Sequence, residues 1–354
     1  MAELAELSIE SLRSVASARL ALSAKSNLIY GANGAGKTSV LEAAFLLGRG
    51  RTFRHRSTDR LIRRGEPLAR VVGHVRQDAV QHVLGVEVAE GATRARIDGE
   101  TPPALSELAR VFPVQVLDPE LHCLIEEGPS VRRRWLDWAV FHVEPTFAAT
   151  WQRYRRALQQ RNAALVTQDA SLEAWDDRLV EEGERLGQLR RETIAALEPG
   201  WRAVAAELVG LEIQMSYQAG WERGTTLREA LSRALPRDRE RRTTSVGPHR
   251  AEVALRLAGR AARDVLSRGQ QKLAGASLVL CQLEYLKSAF GVVPTLLVDD
   301  PSAELDHARL DAFIGRVMAI GGQMVVTALS KDFRLFGQPE AVFHVEQGAV
   351  EKVY

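Results

Sequence analysis

Eight consecutive residues constrain this chain more than any others: Gly31-Ala32-Asn33-Gly34-Ala35-Gly36-Lys37-Thr38. They fit G-x-x-x-x-G-K-[ST], a loop whose backbone N–H groups cradle phosphates. The flanks suit it. Asn27–Tyr30 reads as a short buried strand, and Ser39–Leu47 as a helix with apolar Val40, Leu41, Ala44, Phe45 and Leu47. A strand–loop–helix turns the free N–H groups and positive dipole end of the new helix toward an anion. The loop and Ser39 are the expected phosphate seat. Lys37 is expected to reach the β- and γ-phosphates, and Thr38 to ligate Mg²⁺.

A second half-site is spelled out far downstream. Ser267-Arg268-Gly269-Gln270-Gln271-Lys272 precedes a helix read over Leu273–Phe290, and small residues before a helix N-terminus again make an anion seat. Ser267, Gly269 and Gln270 are its candidate ligand-binding residues. Pro294–Asp300 is an apolar strand ending in two adjacent carboxylates, as in a parallel-sheet strand buried on both faces. Carboxylates at such a strand end lie on the ligand-binding edge of the sheet. This is a Walker B arrangement. Asp299 is expected to hold Mg²⁺ through its water shell, and Asp300 to orient or deprotonate the attacking water. Pro301-Ser302-Ala303-Glu304-Leu305-Asp306 follows directly, and the next strand, Gly322–Thr327, ends where Thr327 would sense a γ-phosphate.

The rest of the chain frames these motifs. Its 354 residues suffice for two or three domains, and 45% hydrophobic with 26% charged residues is ordinary for a globular protein. No apolar run is long enough to span a membrane, and Met1-Ala2-Glu3-Leu4 lacks the start of a signal peptide. Cys123 and Cys281 have no metal-type spacing and read as small apolar residues. A cytoplasmic location is the expectation. A net charge of +2 means that any DNA contact must be a local basic patch.

Arg51, Arg54, Arg56, Arg60, Arg63 and Arg64 form one basic stretch with only Asp59 nearby. Arg70–Asp78, Val80–Ala89 and Thr93–Ile97 alternate in the strand period, with Asp98-Gly99 as a hairpin turn. Phe112–Leu117 reads as another strand, with Gln115 in its middle. Pro129–Leu208 is helical, and two of its segments are spaced to pair as a short antiparallel hairpin. Arg132-Arg133-Arg134 and Arg153, Arg155, Arg156 and Arg161 make this region basic, each cluster open to reading as a solvated face or as DNA contact. Leu211–Tyr217 reads as a strand, Leu227–Leu235 as a helix closed by Pro236, and Pro236–Arg242 as a charged, mobile stretch. Glu252–Leu257 and Ala261–Val265 read as strands around Ala258-Gly259. The expected division is 1–118 for the N-terminal part of an ATPase lobe, 119–244 for an inserted helical lobe and 245–354 for the C-terminal part of the first lobe.

Taken together, P-loop, signature sequence and Walker B resemble an ABC-type ATPase, an α/β fold with mixed sheets. In that class the signature of one subunit covers the γ-phosphate held by the other. Within it the chain resembles the RecF family of bacterial recombination mediators. The resembling segments are Gly31–Ser39, Gly50-Arg51-Thr52-Phe53-Arg54, Arg132–Asp137, Ser245-Val246-Gly247-Pro248-His249-Arg250, Ser267–Lys272 and Leu297–Asp306. The resemblance implies an SMC-like head without a long coiled coil, ATP-dependent homodimerisation, and DNA-coupled hydrolysis. It further implies binding near single-strand/double-strand junctions or gaps, where RecF works with RecO and RecR to load RecA. Ala251-Glu252 departs from the two acidic residues usual after Gly-Pro-His-Arg. Rival readings are a transporter ATPase subunit, disfavoured by Arg268 in the signature and Thr327 in place of a switch histidine, and a nucleotide switch whose task is protein docking. A structural chromosome-organising head would need heptads that are absent.

Overall fold

The computed structural model describes residues 2–55, 57–167, 172–301, 307–333 and 335–354. Arg56 of the basic stretch and Ser302–Asp306 of the Walker B loop therefore lie outside the described residues. The chain divides into two compact units, Met1–Glu120 with Lys287–Tyr354, and Leu121–Leu286. Residues 245–286, with the signature, thus go with the helical unit, whereas the sequence reading placed them with the P-loop lobe.

The first unit opens with strands β1 (Ala2–Leu12), β2 (Val15–Ala21) and β3 (Ser26–Tyr30), then helix α1 (Lys37–Arg49). Strands β4 (Leu68–Gln77), β5 (Val80–Ala89) and β6 (Ala92–Ile97), short helix α2 (Glu107–Val111) and strand β7 (Val114–Leu117) follow. The second unit comprises α3 (Cys123–Glu126), α4 (Pro129–Val143), α5 (Phe147–Thr167), α6 (Leu172–Leu208), β8 (Gln214–Gln218), α7 (Leu227–Arg241), β9 (Glu252–Leu257), β10 (Arg260–Ala261) and α8 (Ala262–Val265). Helix α9 (Arg268–Phe290) leads back to the first unit, which closes with β11 (Thr295–Val298), α10 (His307–Ile320), β12 (Met324–Ala328), β13 (Ala341–Glu346) and β14 (Ala349–Lys352).

Two sheets build the first unit. One has strand order β2-β1-β4-β5-β6 and is antiparallel throughout. The other has order β14-β13-β3-β12-β11-β7, parallel except for the β13–β14 hairpin. Helix α1 touches strands of both sheets and is buried along its length, with Val40, Leu41, Ala43, Ala44, Leu46 and Leu47 nearly solvent-free. Strands of both sheets pack against it, and even Glu42 is 0% exposed. Arg13, in the β1–β2 turn, pairs with that carboxylate at 2.5 Å, and Thr52 Oγ1 donates to it at 2.6 Å. The Gly50–Arg54 segment is therefore fastened to the P-loop helix, with Phe53 edge-on to Phe45.

In the second unit α5 and α6 run antiparallel: Arg153 pairs with Glu182, and Arg161 with Asp176. Two local expectations fail. Ala262–Val265 forms a helical turn, because β10 ends after two residues. Pro236 lies inside α7, which continues to Arg241. Proline removes one helical hydrogen bond, but buried Asp238 anchors the segment beyond it by accepting from Arg161 at 2.8 Å and from the Ser245 N–H at 3.0 Å.

Candidate functional site

The P-loop joins β3 to α1. A Cβ on Gly31 would lie 2.2 Å from the Val345 carbonyl oxygen, so β13 packs against bare backbone there. Gly36, the residue before α1, has φ 118, which side-chain-bearing residues rarely adopt. Ala32, Asn33 and Gly34 are exposed, while Ala35, Lys37 and Ser39 are buried. Lys37 Nζ donates to the carbonyls of Gly31 at 2.8 Å and Ala32 at 3.0 Å. The ammonium thus sits on the loop, in reach of whatever the loop cradles.

The parallel register carries the carboxylates to the same edge. β3 pairs with β12, β12 with β11, and β11 with β7, so Tyr30, Ala328, Val298 and Leu117 end adjacent strands. Thr38 Oγ1 lies 3.1 and 3.2 Å from the two oxygens of Asp299. Adjacent ligands of a magnesium octahedron with bonds of ~2.1 Å are ~3 Å apart. This hydroxyl–carboxylate pair therefore fits that cation. Asp300 follows with φ 44, a left-handed turn that Asp tolerates. The Thr327 hydroxyl donates to Asp299 Oδ1 at 2.7 Å and accepts from the Asp300 N–H at 3.1 Å. Its single proton goes to the Walker B carboxylate, so it ties the two ends of adjacent strands together.

Sequence reasoning missed Asp118. It follows the last residue of β7, and Asp299 N–H donates to the neighbouring Leu117 carbonyl at 2.9 Å. Burial pushes the Asp118 carboxyl up to about 6, the charge of Asp299 adding to this while the Glu120 N–H and Arg54 oppose it. Gln115 sits inside β7, as its position in the sequence indicated. The missed signal was the carboxylate at the end of an apolar strand, the same pattern that revealed Asp299.

In the second unit Ser267 and Gln270 close a reciprocal cap at the start of α9. The Ser267 N–H donates to Gln270 Oε1 at 2.9 Å, and the Gln270 N–H to Ser267 Oγ at 3.4 Å. Ser267, Arg268 and Gly269 are exposed, whereas Gln271 is buried, donating to the carbonyls of Arg263 and Leu266.

The basic clusters separate by burial. Arg132 is 7% exposed, paired bidentately with Glu252 at 2.9 Å and donating to the carbonyls of Leu124, Ile125 and Glu127. Arg161 is 0% exposed, between Asp176 and Asp238. Both are held in ion pairs inside the fold, so for these two neither the solvated face nor the DNA contact that the sequence left open applies, and Glu252 gains a role as the counter-ion of Arg132. Arg133 donates to the Ala251 carbonyl, and Arg153 is paired with Glu182. Arg134, Arg155 and Arg156 remain exposed, as do Arg237, Arg239, Arg241 and Arg242 at the end of α7. His249, in the Gly-Pro-His-Arg segment, bonds Tyr154 through Nδ1 at 2.7 Å and the Thr244 carbonyl through Nε2 at 3.0 Å, and burial pushes its ring down to about 4. Arg190 joins Asp137 to the Pro248 carbonyl.

The two cysteines are free. No helix among the described residues is long and apolar enough to cross a membrane.

Comparison with known proteins covers almost the whole chain. The family model RecF/RecN/SMC N terminal domain matches residues 3–351. A DNA replication and repair protein RecF from Pseudomonas syringae pv. syringae (strain B728a) is 37% identical over 361 residues, 99% of this chain and 98% of that protein. The protein of the same name from Pseudomonas entomophila (strain L48) is 38% identical over the same coverage. Among solved structures, the recombination mediator protein RecF-ATP in the RecFOR pathway superposes with a TM-score of 0.89 at 27% identity, covering 100% of this chain and 98% of that one. An Smc head domain derived from Pyrococcus furiosus, at 15% identity and a TM-score of 0.58 over 100% and 96% of the two chains, shares the fold alone.

Proposed function

The chain belongs to the RecF family, and on that premise we propose that it is an ATP-dependent DNA-binding protein of replication and recombinational repair. In this reading it dimerises on ATP, binds gapped or junction DNA, and helps load RecA together with RecO and RecR. The observation that carries the reading is the meeting of Thr38, Asp299 and Thr327 beside Lys37 at the carboxyl edge of the parallel sheet.

The residues divide the work of phosphoryl transfer. The backbone of Gly31–Ser39 seats the phosphates, and Lys37 exchanges two loop carbonyls for the β- and γ-phosphate oxygens. Thr38 directly, and Asp299 through the water shell, would hold Mg²⁺, whose charge would neutralise the β/γ oxygens. Asp300 orients the attacking water and takes its proton. Ser267, Gly269 and Gln270 complete the site from the second copy. The DNA surface falls to exposed arginines, among them Arg134, Arg155 and Arg156, and not to Arg132 or Arg161.

Sedimentation with ATP, ADP or no nucleotide, with and without gapped DNA, tests the reading. ATP should drive dimerisation, and Lys37→Ala should abolish both calorimetric ATP binding and dimerisation. DNA binding should need ATP, fall with salt through counterion release, and weaken in Arg155→Glu/Arg156→Glu. An unchanged ATP affinity in Lys37→Ala would dispose of the site, and hydrolysis by a permanent monomer would dispose of the composite mechanism.

A further inference from the structure

We propose that the open edge of β6 docks an extended acidic segment of a partner protein, which joins the antiparallel sheet as a further strand. The surface is separate from the nucleotide site, because every residue lining it falls between Arg70 and Leu105.

The pairing of β6 fixes what its edge offers. The sheet ends at this strand, which is in register with β5 from Ile97 opposite Leu84 to Ala92 opposite Ala89. The Asp98 N–H donates to the Val83 carbonyl at 2.8 Å. In an antiparallel ladder the bonded pairs alternate, so Arg96 and Arg94 turn their backbone groups toward β5, and Ala95 and Thr93 turn theirs away. Ile97 spends its outward N–H and C=O on Glu100. Among the described residues nothing bonds those of Ala95. Its methyl group belongs to the buried core, so what Ala95 offers outside is backbone.

That backbone lines a cavity of about 840 Å³, a volume in the range of ligand sites. Residues 101–105 form another part of its wall. Pro102 and Pro103 have no N–H to donate, so this segment cannot complete the ladder itself. Leu105 adds an apolar side chain, 36% exposed. Gly85, opposite Arg96 in the ladder, lines the same cavity. A Cβ there would meet nothing within 4 Å, whereas a Cβ on Gly73 would lie 2.5 Å from Leu47 and 2.8 Å from Leu4. Glycine inside a strand weakens it and marks a close approach by something else. For Gly73 that neighbour is in the chain, and for Gly85 it comes from outside.

Charge selects the occupant. Arg94 and Arg96 are exposed on one face of β6, and among the described residues neither is in an ion pair. Glu87, opposite Arg94, is held by Arg70 at 3.0 Å. Same-face residues on a strand repeat every ~6.6 Å. Carboxylates at alternate positions of an added strand therefore meet both arginines, and opposite charges across a ladder attract. A second copy joined edge to edge would set these arginines against each other. The phosphates of a nucleic acid would satisfy the arginines but carry no donor for the Ala95 carbonyl. Charged side chains also guard edges against indiscriminate pairing, but a guarded edge needs neither the cavity nor Gly85.

The probe is an array of fluorescein-labelled hexapeptides in which Glu or Asp alternates with Val, Ile, Leu or Tyr, read by anisotropy against the full chain. Members of the array should bind, and more weakly as salt rises. Methylating the amide nitrogens that face β6 should lower affinity at least ~10-fold, because it removes ladder bonds and leaves the charge. Arg94→Glu/Arg96→Glu should exchange the preference for acidic members for the matching Lys/Arg peptides, a gain that a misfolded chain would not show. Gly85→Val should bind ~10-fold less tightly while melting no lower than the wild type, since valine favours strands. An array without a binder, binding indifferent to amide methylation, or an unchanged preference after charge reversal would overturn the proposal. Wild-type affinity or a lower melting temperature in Gly85→Val would do the same. Displacement of the peptides by a single-stranded oligonucleotide, with oligonucleotide binding lost in Arg94→Glu/Arg96→Glu, would replace the protein partner with nucleic acid.

Discussion

Thr327→Val would remove one oxygen atom from the centre of the site and keep the side-chain shape. Thr327 is 0% exposed, and its partners Asp299 and Asp300 are half-buried, so water replaces its hydroxyl only in part. Two hydrogen bonds are lost, the 2.7 Å bond to Asp299 Oδ1 and the 3.1 Å bond from the Asp300 N–H. A bond to a charged group contributes ~1.5–3 kcal/mol, and an orphaned buried N–H costs ~1–3 kcal/mol. The two share one hydroxyl and do not add fully, so a stability loss of ~2–4 kcal/mol is expected by urea denaturation. Among the described residues the Asp299 carboxylate would then keep its contact with Thr38, the hydroxyl proposed to ligate magnesium. The magnesium-dependent part of nucleotide affinity should weaken ~10-fold, about 1.4 kcal/mol, and equally for ATP and ADP, because the hydroxyl serves the carboxylate and not the γ-phosphate. Calorimetric titration of both nucleotides, each with magnesium and with chelator, reads this directly. Thr327→Ser should restore most of the affinity. A loss confined to ATP, with ADP binding untouched, would refute the reasoning, for the hydroxyl would then be sensing the γ-phosphate.

Arg161→Met strands Asp238, 0% exposed, without its cation, and should cost ~3–5 kcal/mol in thermal or chemical melts. Adding Asp238→Leu should recover part of that loss, and hydrogen exchange at the end of α7 should rise in the single variant. The neutral His249 ring, bonded on both nitrogens with a folded pKa of about 4 against the ordinary 6.5, gives a pH signature. Because the folded pKa is depressed, the unfolded chain binds the proton first, so stability is full above about pH 6.5 and falls as pH drops toward 4. His249→Asn should flatten that slope, and an unchanged slope would assign it to other groups.

The P-loop and the Walker B strand were legible in the sequence because each is local. Glycine positions and an apolar run ending in carboxylates act over fewer than ten residues, where backbone preference decides. The alternation of β4, β5 and β6 was readable for the same reason, since side chains on a strand change face at every residue. The signature helix was read from Leu273, whereas α9 begins at Arg268, where the Ser267–Gln270 cap closes its first turn. Ala262–Val265 and Pro236 show where local reading ends. The short run reads equally as strand or turn, and α7 survives its proline because Asp238 meets Arg161, 77 residues away in sequence. Charge was least legible. Arg132, Arg133 and Arg134 are one tripeptide, yet a helix points successive residues in different directions. Glu252, 120 positions further on, claims Arg132 while Arg134 faces water. Asp118 has its pKa raised by burial, to which the charge of Asp299 adds, and both arise only when β7 pairs with β11 in the folded sheet. The sequence by itself determined which chemistry the chain carries. The tertiary structure decided which charges are spent inside and which remain exposed, because that depends on burial and on partners that come together only when the chain folds.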